Sequence, residues 1–261
     1  MLEPSQFENL HRCSGESVSL ALDKRHNPKT YFGFAIADLH GNTDTRSRVN
    51  AFSNAKRAMH FQTELLADAF GIGITLNRRN RPFPKLLSFI GDCSIVAPRI
   101  LRKLNKIRNA MEHEYYVPSE PETEDFVDVV ELFLAATEYL VTGFPTLVEL
   151  TSEDEDLHGN SLSYGSLRQA PNQGVITASL SVSTISLSDL HMAARQEKEK
   201  LTNEIKAKEK EGIKLLYLDS IEATAYRQVL KSTYQTHSTK VEATNPDEYF
   251  KWVSLILSKW K

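Results

Sequence analysis

The side chains best suited to chemistry fall in one short run, Arg108-Asn109-Ala110-Met111-Glu112-His113-Glu114-Tyr115. A histidine is the side chain that most readily exchanges protons near neutrality. An arginine offers a rigid fork of donors matched to phosphate oxygens. Asn109 lies between them. The chemistry such a set suits is proton exchange by the histidine beside an anion met by the guanidinium. Bland readings stay open beside it. Arg108 could pair with Glu112 four residues on, or carry its charge out to water along its aliphatic stem. His113 could be structural or merely exposed. Tyr115 could be buried core with its hydroxyl satisfied, leaving Tyr116 the more exposed of the two.

The run must sit on a helix for this geometry to exist. Ile100, Leu104, Ile107, Met111 and Tyr115 recur at helical spacing and define one apolar face. Arg108 projects into that face, where a guanidinium is costly unless it is paired or meets an anion. His113 projects to the polar side, about 140° away on an unbroken helix. One helix therefore cannot aim both at one phosphate. Either it unwinds near Ala110–His113, or a second subunit completes the site.

Around this helix the sequence predicts others. Asp44 or Thr45 can cap a helix carrying Val49, Phe52, Met59, Leu66 and Phe70, ended by Gly71 and Gly73. Pro84 opens a short helix with Leu86, Leu87 and Ile90. Pro98 opens the helix with the motif, which Pro118 and Pro121 stop. Thr123 can cap a last helix with Phe126, Val130, Phe133, Thr137 and Leu140, closed by Gly143 and Pro145. Together these suffice for a bundle over 44–145. Before it, residues 1–43 read as an extension, in which Tyr31–Ala37 could be a strand or a short buried helix.

After Pro145 the pattern changes. Leu147–Leu150, Gly174–Ile185 and Ile213–Leu218 lean towards strand. Between the last two lies a charged, helix-prone stretch without an apolar stripe, a solvated helix or a linker. Asn245 and Pro246 cap and open a closing helix with Tyr249, Val253, Ile256 and Trp260. Residues 146–261 thus read as an α+β domain of unknown role.

Bulk properties exclude several classes. With 41% hydrophobic and 25% charged residues the chain has an ordinary globular composition. No apolar run approaches the roughly 18 residues of a membrane span, and the first residues lack a signal-peptide core. A cytoplasmic location and no membrane partner are expected. Cys13 and Cys93 belong to no cluster of metal-ligand spacing, so neither a metal nor another cofactor is expected. They read as two free thiols, with one disulfide the alternative.

The net charge of −3 says little, but its distribution says more. Arg78, Arg79, Arg81, Lys85, Arg99, Arg102, Lys103, Lys106 and Arg108 face a single acid, Asp92, and then Glu112 to Glu131 invert the sign. This is an anion surface, with Arg78, Arg79, Arg81, Arg102 and Lys106 as candidate phosphate contacts, or else two elements that neutralise each other.

The pattern R-N-x-x-x-H at the end of a bundle helix resembles the signature of the HEPN superfamily. R-N-x-x-x-H-x-Y more specifically resembles the HEPN toxins encoded beside minimal nucleotidyltransferase antitoxins. The resemblance implies an α-helical HEPN-type four-helix bundle, here followed by a smaller α+β domain. It implies metal-independent RNA cleavage, in which the 2′-hydroxyl attacks the adjacent phosphorus to leave a 2′,3′-cyclic phosphate. Arg108, Asn109 and His113 would be the catalytic residues. Tyr115 matches the position that partner nucleotidyltransferases modify with AMP. The implied partners are RNA, a second copy of the chain in a homodimer, and a nucleotidyltransferase antitoxin. The implied role is that of a toxin or a host-defence effector. The second half departs from the short single-domain toxins. The competing expectations are a non-catalytic HEPN-like module that binds RNA, nucleotides or protein, and a structural helical protein that meets its partner through the Leu101–Tyr115 face.

Overall fold

The computed structural model describes residues 1–20, 27–41, 44–76, 81–95, 103, 106, 109, 117–152, 163–210 and 221–260. After a 3-10 turn at Pro4–Phe7 come strand β1 (His11–Val18) and helices α1 (Pro28–Gly41), α2 (Thr45–Ala69), α3 (Ile72–Thr75), α4 (Phe83–Asp92) and α5 (Glu120–Thr142). Strands β2 (Phe144–Thr151), β3 (Ser163–Gln169) and β4 (Val175–Ser183) follow. Helices α6 (Leu187–Lys210) and α7 (Ile221–Thr233), strand β5 (Tyr234–Glu242) and helix α8 (Pro246–Trp260) complete the described elements. The five strands form one antiparallel sheet in the order β1-β2-β3-β4-β5.

This corrects the expected fold class. Among the described residues there are eight helices and a five-stranded sheet, so the chain is mixed from its first strand. β1 precedes α1 to α5, yet it pairs with β2, which follows them. Its sequence, HRCSGESV, gave no warning because it is exposed along nearly its whole length, with only Gly15 half-buried. An edge strand held by backbone hydrogen bonds needs no alternation of apolar residues, which is the signal a sequence offers. The strand predicted at Ile213–Leu218 and the helix predicted from Pro98 lie outside the described residues, apart from positions 103, 106 and 109.

Two compact units divide the chain, and the division falls within every strand. One comprises residues 15–147, 168–176 and 240–261, the other 1–14, 148–167 and 177–239. In the first, α2 packs against α1, α4 and α5. Asp44 caps α2 by accepting the Ser47 amide at 2.7 Å, an interaction typically worth about 1 kcal/mol. Ala51, Ala55 and Ala58 are buried on α2 and let its neighbours approach closely. Phe52 stacks on Phe126 of α5 with centroids 3.8 Å apart. Gln62 is buried between these helices and donates to Thr137 Oγ1 at 2.8 Å and the Leu134 carbonyl at 3.2 Å. Its amide group is thereby kept from the cost of unsatisfied burial.

α5 begins earlier than Thr123. Ser119 is the cap, and its amide and hydroxyl donate to Glu122 at 2.9 and 2.6 Å. Pro121 sits in the first turn, where a missing N–H costs nothing, so it opens this helix. α8 starts as its cap predicts. Tyr249 is buried and donates its hydroxyl to the Phe70 carbonyl at 2.7 Å. At the end of α2 the backbone turns through Gly71, at φ +86°, against Gly174, at φ +57°.

In the second unit, α6 and α7 pack together around Leu190, Ala194, Tyr226 and Leu230. The charged stretch read as a solvated helix or linker is helical. Ser181 of β4 pairs with Thr236 of β5, and Ser183 with Thr233 at the end of α7, both at 2.8 Å. β4 buries Ile176, Ala178 and Leu180 in alternation, as its sequence predicts.

Candidate functional site

Of the residues singled out by sequence, Arg78, Arg79, Arg102, Arg108, His113 and Tyr115 lie outside the described residues. Asn109, Arg81 and Lys106 lie within them. Positions 103, 106 and 109 are helical. Lys103 and Lys106 are exposed, and Asn109 is half-buried.

Arg81 behaves differently from Lys106. Its Nη1 pairs with Asp68 of α2, and its Nε donates to the Leu76 carbonyl at 2.9 Å. Only 13% of its side chain is exposed. The guanidinium also lies against α3, where a Cβ on Gly73 would come within 3.1 Å of Nη2. Arg81 thus ties residue 76 and α2 to the start of the α4 segment, and much of its donor capacity is spent there.

The segment after the motif is anchored to α2. Arg48, half-buried in the first turn of that helix, donates from Nε to the Pro118 carbonyl at 3.3 Å. Its Nη2 reaches Thr45 Oγ1 at 3.3 Å. The chain leaving the motif is therefore fixed beside the amino-terminal end of α2.

Sequence reasoning passed over the outer side of α2. From Thr45 to Thr63 the helix carries Arg46, Arg48, Lys56 and Arg57 and no carboxylate. Arg46, Asn50 and Arg57 are exposed, with Ser53 half-buried among them. These positions fall within about 60° of one another around the helix. Arg57 donates from Nη1 to Asn54 Oδ1 at 3.3 Å, and Asn54 donates in turn to Asp38 at 2.9 Å. Arg46 lies near Asp44, whose carboxyl is held below its ordinary range chiefly by the Ser47 amide and to a lesser degree by Arg46. Among the described residues neither Arg46 nor Arg57 makes an ion pair. The signal was present in the sequence as a run of cations at helical spacing with no intervening acid.

Neither cysteine is suited to nucleophilic chemistry. Both are free. Burial pushes the Cys93 thiol far up, with Asp92 adding to the effect. Partial burial and then Glu149 raise the thiol of Cys13. A raised thiol is a poor source of thiolate. Between α1 and α5 a groove of about 530 Å³ is lined by Lys29, Phe32, Leu134, Ala135 and Glu138, with Lys29 paired to Glu138 at 2.8 Å across it. No helix among the described residues is long and apolar enough to cross a membrane. Compared with known protein families, curated proteins and solved structures, the chain shows no match to any of them.

Proposed function

We propose that the chain is a metal-independent RNA endonuclease of the HEPN type. The observation that carries this reading is the R-N-x-x-x-H-x-Y run from Arg108 to Tyr115, of which the described Asn109 is helical and half-buried. A polar residue turned partly inward, directly after an arginine and four before a histidine, is an arrangement for orienting those groups. The chemistry asks little else of the protein. The nucleophile is the RNA's own 2′-oxygen, already next to the phosphorus. It bonds to phosphorus as the bond to the 5′-oxygen breaks, leaving a 2′,3′-cyclic phosphate and a 5′-hydroxyl. His113 takes the proton from the 2′-hydroxyl or delivers one to the departing oxygen. Arg108 holds the charge that accumulates on the non-bridging oxygens.

On this reading the enzyme works in the cytoplasm as a homodimer, either as a toxin or in host defence. Tyr115 is then the residue that a nucleotidyltransferase antitoxin would modify with AMP, adding a bulky anion beside the catalytic pair.

The test is incubation of the full chain with labelled RNA in EDTA, with the product ends mapped. Cyclic phosphate ends should appear with the parent protein. They should fall by at least about 10²-fold in His113→Ala and in Arg108→Ala, while the circular dichroism of both variants stays that of the parent. Cleavage at the parental rate in both variants would remove the assignment.

A further inference from the structure

We infer that the outer side of α2 is a track for the RNA backbone, with Arg46 and Arg57 as its phosphate contacts. The inference rests on the ribonuclease reading for its ligand and on the structure for its location. Two observations place it.

First, the charge is available. Arg81, counted by sequence among the phosphate contacts, is spent on Asp68 and the Leu76 carbonyl. Arg46 and Arg57 are exposed and make no ion pair among the described residues. Asp44 accepts from the Ser47 amide and Asp38 from the Asn54 amide. Second, the spacing suits a polymer. Eleven residues of helix separate the two arginines by about 16 Å along the axis and about 20° around it. That exceeds the phosphate repeat of a single strand, about 3.4 Å along a duplex axis, so each arginine meets a different phosphate. Asn50 and Ser53 supply neutral hydrogen-bonding groups between them.

The contacts proposed here are sequence-independent, so they govern affinity and its salt dependence rather than the chemical step. The experiment measures binding of the full chain to a single-stranded 2′-O-methyl RNA, which lacks the nucleophile, over a range of salt concentrations. Cleavage of ordinary RNA is followed in parallel. Arg46→Gln and Arg57→Gln should each lower the slope of log affinity against log salt by about 0.7, and the double variant by about 1.4. Lys206→Gln, which removes an exposed cation on α6, should leave the slope as it is. A double variant with the parental slope overturns the track while leaving the nuclease reading intact. A lowered slope without any cleavage of ordinary RNA upholds the track and ends the nuclease reading. Absence of RNA binding at every salt concentration overturns both.

Discussion

Replacing Gly71 by alanine tests the packing logic of the helical unit most directly. A Cβ built on Gly71 would lie 2.1 Å from the Gly174 Cα and 2.5 Å from its nitrogen. Non-bonded carbons settle about 3.5–4.0 Å apart, so the overlap is with backbone and no rotamer change relieves it. Gly71 also sits at φ +86°, where an L-residue pays about 1–2 kcal/mol. To make room, the turn at 172–174 must move away from the end of α2. That breaks the bond from the Asn172 amide to the Ala69 carbonyl, 3.0 Å, and strains the one from Ala243 to the Gly174 carbonyl, 2.8 Å. At about 0.5–1.5 kcal/mol for each hydrogen bond, added to the backbone cost, the total is about 2–5 kcal/mol. The control is Gly33→Ala. Gly33 lies inside α1 with nothing within 4 Å of its would-be Cβ, so alanine there should stabilise by about 0.5–1 kcal/mol. Urea titration followed by circular dichroism reads both effects, with opposite signs expected. A Gly71→Ala protein within about 0.5 kcal/mol of the parent, the range of an ordinary surface substitution, would refute the close approach of the two glycines.

Three further outcomes follow from particular contacts. Arg81→Ala removes a largely buried guanidinium and its bonds to Asp68 and Leu76. It should cost about 1–3 kcal/mol in urea titration and leave the salt slope of RNA binding unchanged, since Arg81 has little to offer a phosphate. Burial raises the Cys93 thiol in the folded chain, so folding favours the neutral form. Its stabilising contribution is complete below the unfolded thiol value, about 8.5, and is lost as pH rises above it. Stability followed from pH 7 to 10 should therefore decline above about 8.5, and Cys93→Ala should flatten the decline. A thiol reagent should titrate only Cys13 in the native protein.

How far the sequence disclosed this molecule depended on whether the deciding interaction was local. The start of α2 was legible because Asp44 caps it three residues away, and the start of α8 because Pro246 opens its first turn, with the Asn245 amide donating to Glu248 at 3.0 Å. The start of α5 was misplaced at Thr123 because Pro121 was read as a stop alone, when it also suits a first turn. α1 stayed ambiguous between strand and helix because its apolar residues form no stripe. Phe34 is half-exposed while Ala35 is buried, so burial there follows neighbours and not residue type. β1 was invisible, since its partner in the sheet, β2, lies more than a hundred residues away. At the site, residue types and spacing were legible, but partners were not. Nothing in the sequence distinguishes Arg81, held by Asp68, from Arg57, which has only a carboxamide beside it.

That distinction decides what a basic cluster can do. A guanidinium paired with a carboxylate has a field that falls off quickly, because the two charges nearly cancel for any phosphate more than a few ångströms away. One without a carboxylate acts out to the Debye length, about 8 Å at physiological salt. Counting arginines along the sequence therefore overstates Arg81 and understates α2, where four cations follow one another with no acid between. The separation of Arg46 and Arg57, about 16 Å along the helix, is roughly two such lengths, so each meets its own phosphate without weakening the other. Their contributions to the salt slope should then add. A double variant that loses markedly less than the sum would mean that both arginines serve one shared phosphate. In that case the strand crosses α2 instead of running along it.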